Sequence, residues 1–267
     1  SERGGDPEAP CSLNLYRCGA SIPQTIRILF MHHVTGYALL LLCALSVLPQ
    51  LALPGTAQAG DGEKKLSAGE VAGLVQQFYD RSKSFEVPFE QTYTHALFKR
   101  KDTSEGRVVF AKPGRMRWDY AEPKGKRIVA DGKKLAVYEP GDQGEPGQYV
   151  LSELKEGQLS VALGFLMGTG KLQDDFRVRL VDAKRAGYPG GLVLDLRPKE
   201  VTPYFERIVL YVALGERPGV VQRVLIVDES GNRNRFDFDL AKAKFNRAVS
   251  EKRFRFTPPK GAKRIRR

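Results

Sequence analysis

The side chains best suited to chemistry are few and scattered along this chain. After residue 60 the sequence holds one histidine, His95, while all three cysteines, Cys11, Cys18 and Cys43, lie before that point. A serine or cysteine nucleophile needs a base such as histidine beside it, and zinc sites combine several histidine or cysteine ligands. One histidine without a thiol therefore argues against both kinds of site, and we expect His95 to be structural.

The carboxylates offer little more. Asp174 and Asp175 are adjacent, so in a strand they would point to opposite faces, and Asp237 and Asp239 alternate with phenylalanines on a predicted solvent face. The glycines form neither a P-loop nor a strand-linked dinucleotide motif. We therefore predict no catalytic residue, no bound metal and no cofactor.

An export signal is predicted near the N-terminus. Residues 37–48 read YALLLLCALSVL and are followed by Ala57-Gln58-Ala59. The run is shorter than the roughly 20 residues of a membrane-spanning helix, but it suits the core of a signal peptide that ends in an A-x-A cleavage site. We predict that residues 1–59 are an N-terminal extension and signal peptide, with translation starting at Met31 and cleavage after Ala59. Residues 60–267 then form a single domain.

The net charge is +12, from 43 basic and 31 acidic residues. The first 59 residues carry equal numbers of each, so the excess belongs to the predicted exported part. Such an excess suggests an anionic partner, either nucleic acid, lipid headgroups or an acidic protein, although a generally basic, soluble surface is an equal alternative. Export argues against nucleic acid.

A helix is predicted to begin at residue 68. Ser67 and Glu70 have the spacing of a capping box, in which each side chain bonds to the backbone amide of the other residue. The residues that follow place one apolar stripe at helical spacing: Val71, Leu74, Val75, Phe78 and Tyr79.

Most of the remaining chain has the pattern of strands. Between Gly106 and Tyr138, four short strands are separated by Pro113-Gly114, by Pro123-Lys124-Gly125 and by Asp131-Gly132. Further strands are predicted around residues 85–93, 176–180, 192–196, 208–214, 220–227, 236–240 and 254–256. About eleven strands with one firm helix indicate a mainly β protein with helices, whose single antiparallel sheet coils into a barrel or sandwich. We favour a short helix for residues 159–167 and a frayed tail for residues 260–267.

The strands between residues 106 and 138 combine large apolar residues with basic ones. The apolar residues are Phe110, Met116, Trp118, Tyr120 and Tyr138, and the basic ones are Lys112, Arg115, Arg117 and Lys126. An apolar face backed by a basic face is a candidate lipid surface. The alternative is that the apolar side chains fill an ordinary core.

Four segments carry a family resemblance. In order they are SKSFEVPFEQ, GRVVFAKPGRMRWDY, IVADGKKLAVYEP and RFRFTPPKG. The chain resembles the LolA family, the periplasmic carriers of outer-membrane lipoproteins. The resemblance implies an incompletely closed antiparallel β-barrel of about eleven strands, with a helical lid over an apolar cavity. It also implies that the protein, a predicted monomer, takes lipoprotein acyl chains from an inner-membrane ABC transporter and passes them to an outer-membrane receptor.

The same resemblance suggests the site residues. We place the acyl-chain cavity and its lid at Val75, Phe78, Phe89, Phe110, Met116, Trp118, Phe165 and Leu166. Lys112 occupies the position where family members carry an arginine that holds the lid closed. Because lysine lacks the planar fork of arginine, we expect Lys112 to make one bond, or packing by Phe110, Met116 and Phe165 to hold the lid. Two alternatives share this fold: a protein that senses lipids or lipoproteins, and the lipid-anchored receptor. Cys43 counts against the receptor, because it follows Leu42 and not the small residue that lipoprotein processing needs.

Overall fold

The computed structural model describes residues 65–122, 124–141, 145–154 and 170–266. The predicted start at Met31, the signal peptide and the cleavage site after Ala59 lie outside these residues. The predicted helix at residues 159–167, with Phe165 and Leu166, also lies outside them.

The predicted N-terminal helix is confirmed as α1, Ala68–Arg81. The Ser67 amide donates to Glu70 Oε2 at 2.8 Å, and the Glu70 amide donates to Ser67 Oγ at 3.2 Å. This capping box satisfies two amides that have no partner within the helix.

The rest of the described chain is dominated by one sheet. Its strands are β1 (Ser84–Thr94), β2 (Lys101–Ala111), β3 (Arg115–Glu122), β4 (Arg127–Asp131), β5 (Lys134–Glu139), β6 (Gln148–Glu153), β7 (Phe176–Val181), β8 (Gly191–Pro198), β9 (Arg207–Ala213), β10 (Val221–Val227), β11 (Arg233–Phe238), β12 (Lys244–Phe245) and β13 (Lys263–Ile265). A one-turn helix α2 (Leu172–Asp175) precedes β7, and 3-10 turns occupy Leu240–Lys242 and Glu251–Phe254.

The strands form a continuous sheet in the order β13-β6-β5-β4-β3-β2-β1-β11-β10-β9-β8-β7, with β12 beside β1. In the described part no pairing joins the edge strands β7 and β13, so the sheet is incompletely closed. The four strands predicted between Gly106 and Tyr138 are confirmed as the end of β2 followed by β3, β4 and β5.

The C-terminal region differs from the sequence-based prediction in two places. Residues 254–256 are not a strand, because Phe254 ends a 3-10 turn. The predicted frayed tail instead contributes β13, which pairs in parallel with β6, so the sheet is not wholly antiparallel. The strand β6 is absent from the sequence-based prediction because it is short and follows a loop rich in glycine and proline.

The two aspartate pairs are also arranged differently from the prediction. Asp174 and Asp175 lie on the helical turn α2 and not on the faces of a strand. Asp237 is in β11 and pairs with Arg223 and Arg235, whereas Asp239 lies beyond the strand and contacts Lys242 at 2.8 Å.

The residues that precede β13 by several positions cross the outer face of the sheet. Phe254 is buried against Val109 and Ala111, and Arg253 donates to both carboxylate oxygens of Glu86 at 3.0 and 3.2 Å. We call residues 249–256 the C-terminal strap. No helix in the described part is both long and apolar enough to cross a membrane.

Candidate functional site

The predicted cavity residues of the described chain lie together on the inner face of the sheet. Five of them are at most 3% exposed: Val75, Phe89, Phe110, Met116 and Trp118. Phe78 is partly buried and packs against the same cluster. Buried and half-buried residues alternate along β3. Met116 and Trp118 therefore lie on the inner face, and Arg115 and Arg117 lie on the outer face.

Aromatic rings fill this interior. The Trp118 ring lies 4.9 Å from Phe89, 5.2 Å from Phe236 and 5.9 Å from Phe110, measured between ring centroids in edge-to-face geometry. Edge-to-face pairs are favourable because the positive edge of one ring meets the negative face of the other. Phe236 is a member of this cluster that was not predicted from sequence, although its alternation in β11 points it inward with Phe238.

Tyr138 belongs to the other face. Its ring lies 6.4 Å from Phe256, which in turn lies 5.6 Å from Tyr149. Tyr138 pairs with Arg127, and Arg127 pairs with Asp119, on the outer face of the neighbouring strands. The sequence-based grouping of Tyr138 with the inner residues is therefore wrong. Its neighbour Val137 shares the inner face with Trp118, because both pair with Ile128.

Helix α1 covers the inner face and is the candidate lid. Its own residues Val71, Ala72, Val75 and Tyr79 are buried. The Tyr79 hydroxyl accepts a hydrogen bond from the Val221 amide at 3.2 Å, and burial raises the pKa of this phenol well above its ordinary value. The start of β10 is thereby tied to α1.

The turn between β9 and β10 approaches α1 closely. Gly219 has φ +93°, and a Cβ at this position would come within 2.3 Å of the Leu74 carbonyl oxygen. Only glycine allows both this backbone conformation and this separation.

The chain around α2 is also bonded to α1. Gln76 accepts from the Leu172 amide at 3.0 Å and donates to the Gly170 carbonyl at 3.3 Å. The Gln173 side chain donates to the Gly69 carbonyl at 2.9 Å. Gln76 lies on the predicted polar side of α1 and Gln173 on the one-turn helix α2, so neither gave a sequence signal for these long-range bonds.

Lys112 lies at the C-terminal end of α1. Its Nζ donates to the Tyr79 carbonyl at 2.6 Å and to the Asp80 carbonyl at 3.1 Å. These carbonyls belong to the last turn of the helix, where negative partial charge accumulates. The expectation of a single bond is wrong, because an ammonium group can donate in three directions. We call this pair of bonds the latch.

The remaining chemical candidates lie elsewhere. His95 follows β1, and its Nε2 lies 3.2 Å from Asp102 Oδ2. A depression of about 250 Å³ is lined by charged residues near the β7 edge, among them Arg179 and Asp195, a lining unsuited to acyl chains. The described ranges contain no group of three or more histidine, cysteine or carboxylate residues that could hold a metal ion.

Comparison with known proteins gives consistent matches. The family model described as "Outer membrane lipoprotein carrier protein LolA" matches residues 80–257. A protein named outer-membrane lipoprotein carrier protein from Ralstonia nicotianae is 31% identical over 210 residues, covering 73% of this chain and 88% of that protein. One of the same name from Xanthomonas axonopodis is 32% identical over 179 residues, covering 67% and 80%. A solved LolA superfamily protein from Nitrosomonas europaea has a TM-score of 0.42 at 15% identity and covers 72% of this chain and 99% of that one.

Proposed function

We propose that this chain, which belongs to the LolA family of outer membrane lipoprotein carrier proteins, acts in the periplasm. It binds lipoprotein acyl chains there, between its sheet and α1. The proposed route runs from an inner-membrane ABC transporter to an outer-membrane receptor. The role is that of a carrier without catalysis.

One observation supports the binding site most directly. The described residues assigned to the cavity from sequence belong to or pack on a single cluster, which also contains the buried residues of α1. Its lining is almost wholly hydrocarbon and aromatic, which suits acyl chains and offers no group for recognising a headgroup. Phe165 and Leu166 remain proposed members of the same lid.

In the described conformation the rings of the cluster contact one another, so an acyl chain can enter only if α1 moves away from the sheet. Displacing α1 exposes its apolar stripe and breaks the latch, which makes opening unfavourable without a ligand. The acyl chains then cover the surface that α1 leaves.

The free energy needed to displace α1 also allows the bound acyl chains to be released. Three acyl chains with about 40 methylenes, at ~0.8 kcal/mol for each one buried, would gain about 30 kcal/mol on complete burial. That gain exceeds the practical limit of roughly 20 kcal/mol for noncovalent affinity. The free energy of displacing α1 is subtracted from the gain, so the closed state favours transfer to the next protein.

The single tryptophan of the chain gives a direct test, because Trp118 lies inside the proposed cavity. Titration with a triacylated lipopeptide is expected to change Trp118 emission and to give a one-to-one complex by native mass spectrometry. The deacylated peptide is the matched control and should do neither. Unchanged emission together with the absence of a complex would refute the proposal.

A second test uses charge on the inner face. Met116→Glu is expected to weaken lipopeptide binding at least about tenfold, since a carboxylate would have to be buried beside acyl chains. Lys134→Glu, on an exposed position of β5, is the control and should bind as wild type does. Circular dichroism establishes that both variants are folded. Transfer of bound lipoprotein to a receptor distinguishes a carrier from a lipid sensor, which would bind without transfer.

A further inference from the structure

The tip of the β1–β2 hairpin exposes two large apolar side chains. Leu97 is 72% exposed and Phe98 is 77% exposed, in the turn that joins the two long strands. Exposed apolar residues are ordinary when scattered, but two adjacent ones at the end of a protruding hairpin form a projection that water solvates poorly.

The turn is held in place by hydrogen bonds. The His95 amide donates to the Arg100 carbonyl at 2.9 Å, and the Ala96 amide donates to Asn232 Oδ1 at 2.9 Å. The side chains of Leu97 and Phe98 are therefore presented by a formed turn, which lowers the conformational entropy lost when they bind.

Basic residues follow the apolar pair directly. Lys99, Arg100 and Lys101 are all exposed. Asp102 bonds to Arg100 at 3.0 Å, and this contact is the main reason that the pKa of Asp102 is lowered. Within the described part of the chain, Lys99 and Lys101 have no carboxylate within ion-pair distance.

A second loop emerges at the same end of the sheet. Arg207 of β9 pairs with Val227, and Val227 pairs with Arg233, which pairs with Thr94 at the end of β1. The β8–β9 loop, residues 199–206, therefore lies at the same end as the hairpin tip. It carries Val201, which is 95% exposed.

The acidic residues at this end of the sheet are partly engaged. Asp228 accepts from both the amide and the side chain of Asn232, and Glu206 accepts from Arg197, whereas Glu200 beside Val201 and Glu229 are exposed. The charged side chains that directly follow Leu97 and Phe98 in the chain are nevertheless all cationic: Lys99, Arg100 and Lys101.

We propose that this end of the sheet, led by Leu97 and Phe98, docks on a bilayer surface of anionic phospholipids. The two apolar side chains enter the boundary between headgroups and acyl chains, and Lys99 and Lys101 contact the phosphates. Docking would position the carrier at a membrane, a property that goes beyond acyl-chain carriage and does not require any cargo.

The shape of the projection favours a membrane over a protein partner. A stable protein interface buries about 1,200–2,000 Å² of total surface on complementary faces. A hairpin tip with two apolar side chains cannot supply one partner's share of that area, whereas it can enter between lipid headgroups without a preformed pocket. Cations beside the apolar pair match the charge of such a surface.

Sedimentation with vesicles tests the proposal. Wild-type protein without cargo is expected to bind phosphatidylglycerol vesicles in low salt and to bind phosphatidylcholine vesicles much more weakly. The double substitution Leu97→Ser with Phe98→Ser should weaken binding about tenfold or more, and Lys99→Glu with Lys101→Glu should do the same. The matched control is Leu214→Ser in the β9–β10 loop, at the opposite end of the sheet, where an exposed leucine should not contribute.

A fluorescence measurement gives an independent readout. Phe98→Trp adds a tryptophan at the tip, and its emission should shift to shorter wavelength with phosphatidylglycerol vesicles but not with phosphatidylcholine vesicles. The proposal is overturned if wild type does not sediment with anionic vesicles or if the tip variants bind as well as Leu214→Ser. A concentration-dependent dimer that the tip substitutions abolish would assign the tip to self-association and would also overturn it. Lipopeptide binding by the tip variants should be unchanged, so failure here is separable from failure of the proposed carriage.

Discussion

The Lys112 ammonium bonds to the Tyr79 carbonyl across 33 positions of sequence, at a distance of 2.6 Å. The bond joins the end of β2 to the last turn of α1, and a second bond to the Asp80 carbonyl continues it. A cation at this end of a helix offsets the helix dipole, and it gives the Tyr79 carbonyl, which also accepts from the Ser82 amide at 3.1 Å, a second donor. The C-terminal end of α1 is thus fixed by charged hydrogen bonds, while its middle is fixed by packing.

Lys112→Met should loosen the end of α1. The substitution keeps a side chain of similar length but removes both hydrogen bonds. Each bond stabilises by up to about 3 kcal/mol, because the donor is charged. Hydrogen exchange of the last-turn amides of α1 is expected to accelerate about tenfold or more. Lys112→Arg, which retains donors, is the control and should exchange nearly as wild type does. Equal protection in all three proteins would show that packing alone holds the lid.

Gly219→Ala should destabilise the contact between α1 and the β9–β10 turn. The added Cβ meets the Leu74 carbonyl oxygen, so the turn or the helix must move in addition to the strain of a positive φ. Gly187→Ala is a matched control, since Gly187 also has a positive φ, +68°, but a Cβ added there would meet nothing within 4 Å. We expect Gly219→Ala to lower the free energy of unfolding by at least about 1 kcal/mol more than Gly187→Ala. Equal losses in chemical denaturation would mean that the turn relaxes freely.

Tyr79→Phe should cost stability without changing the shape of the lid. It leaves the buried Val221 amide without the hydroxyl that accepts from it, a loss of about 1–3 kcal/mol. Tyr204→Phe, at an exposed position, serves as the control and should change the free energy of unfolding by less than about 0.5 kcal/mol. Urea denaturation measures both, and a neutral Tyr79→Phe would indicate that another acceptor replaces the hydroxyl.

The attachment of the C-terminal strap should depend on pH. The hydrogen bond from Arg253 holds the pKa of Glu86 below its usual range, with Arg107 contributing through its charge. The stabilisation is therefore complete above the ordinary glutamate pKa of about 4.3 and is lost as the pH falls through the lower value in the folded protein. Limited proteolysis within residues 249–256 should accelerate at that point.

Glu86→Gln provides the comparison at neutral pH. The substitution should make the strap more susceptible to protease already at pH 7. The loss of the ion pair with Arg253 should destabilise strap attachment by about 1 kcal/mol, because the pair is partly exposed. The difference from wild type should shrink below about pH 4. Glu105→Gln, an exposed glutamate of β2, is the control and should leave cleavage unchanged. A wild type with pH-independent cleavage would contradict the role of Glu86.

Local patterns predicted the parts of the fold that depend on neighbouring residues. The capping box at Ser67 and Glu70 gave the start of α1, and the alternation in β3 gave the inward direction of Met116 and Trp118. In both cases the interacting groups lie within a few residues of one another. The same alternation failed at Tyr138, because intervening turns set the register of each strand.

The pairing of β13 with β6 had no comparable signal. Each strand is short, and the partners at residues 148 and 263 are far apart in sequence. Between these two strands the C-terminal strap crosses the outer face of the sheet. Phe254 and Arg253 attach the strap to that face, and β13 follows it to reach β6.

The sequence by itself determined which residues are apolar, where α1 begins and that Lys112 stands beside a strand end. Only the tertiary structure decided that this lysine meets two carbonyls of α1, because that contact requires α1 to lie across a sheet assembled from distant strands. Hydrophobic patterning is read within one element, whereas a hydrogen bond between elements depends on positions that no single element specifies.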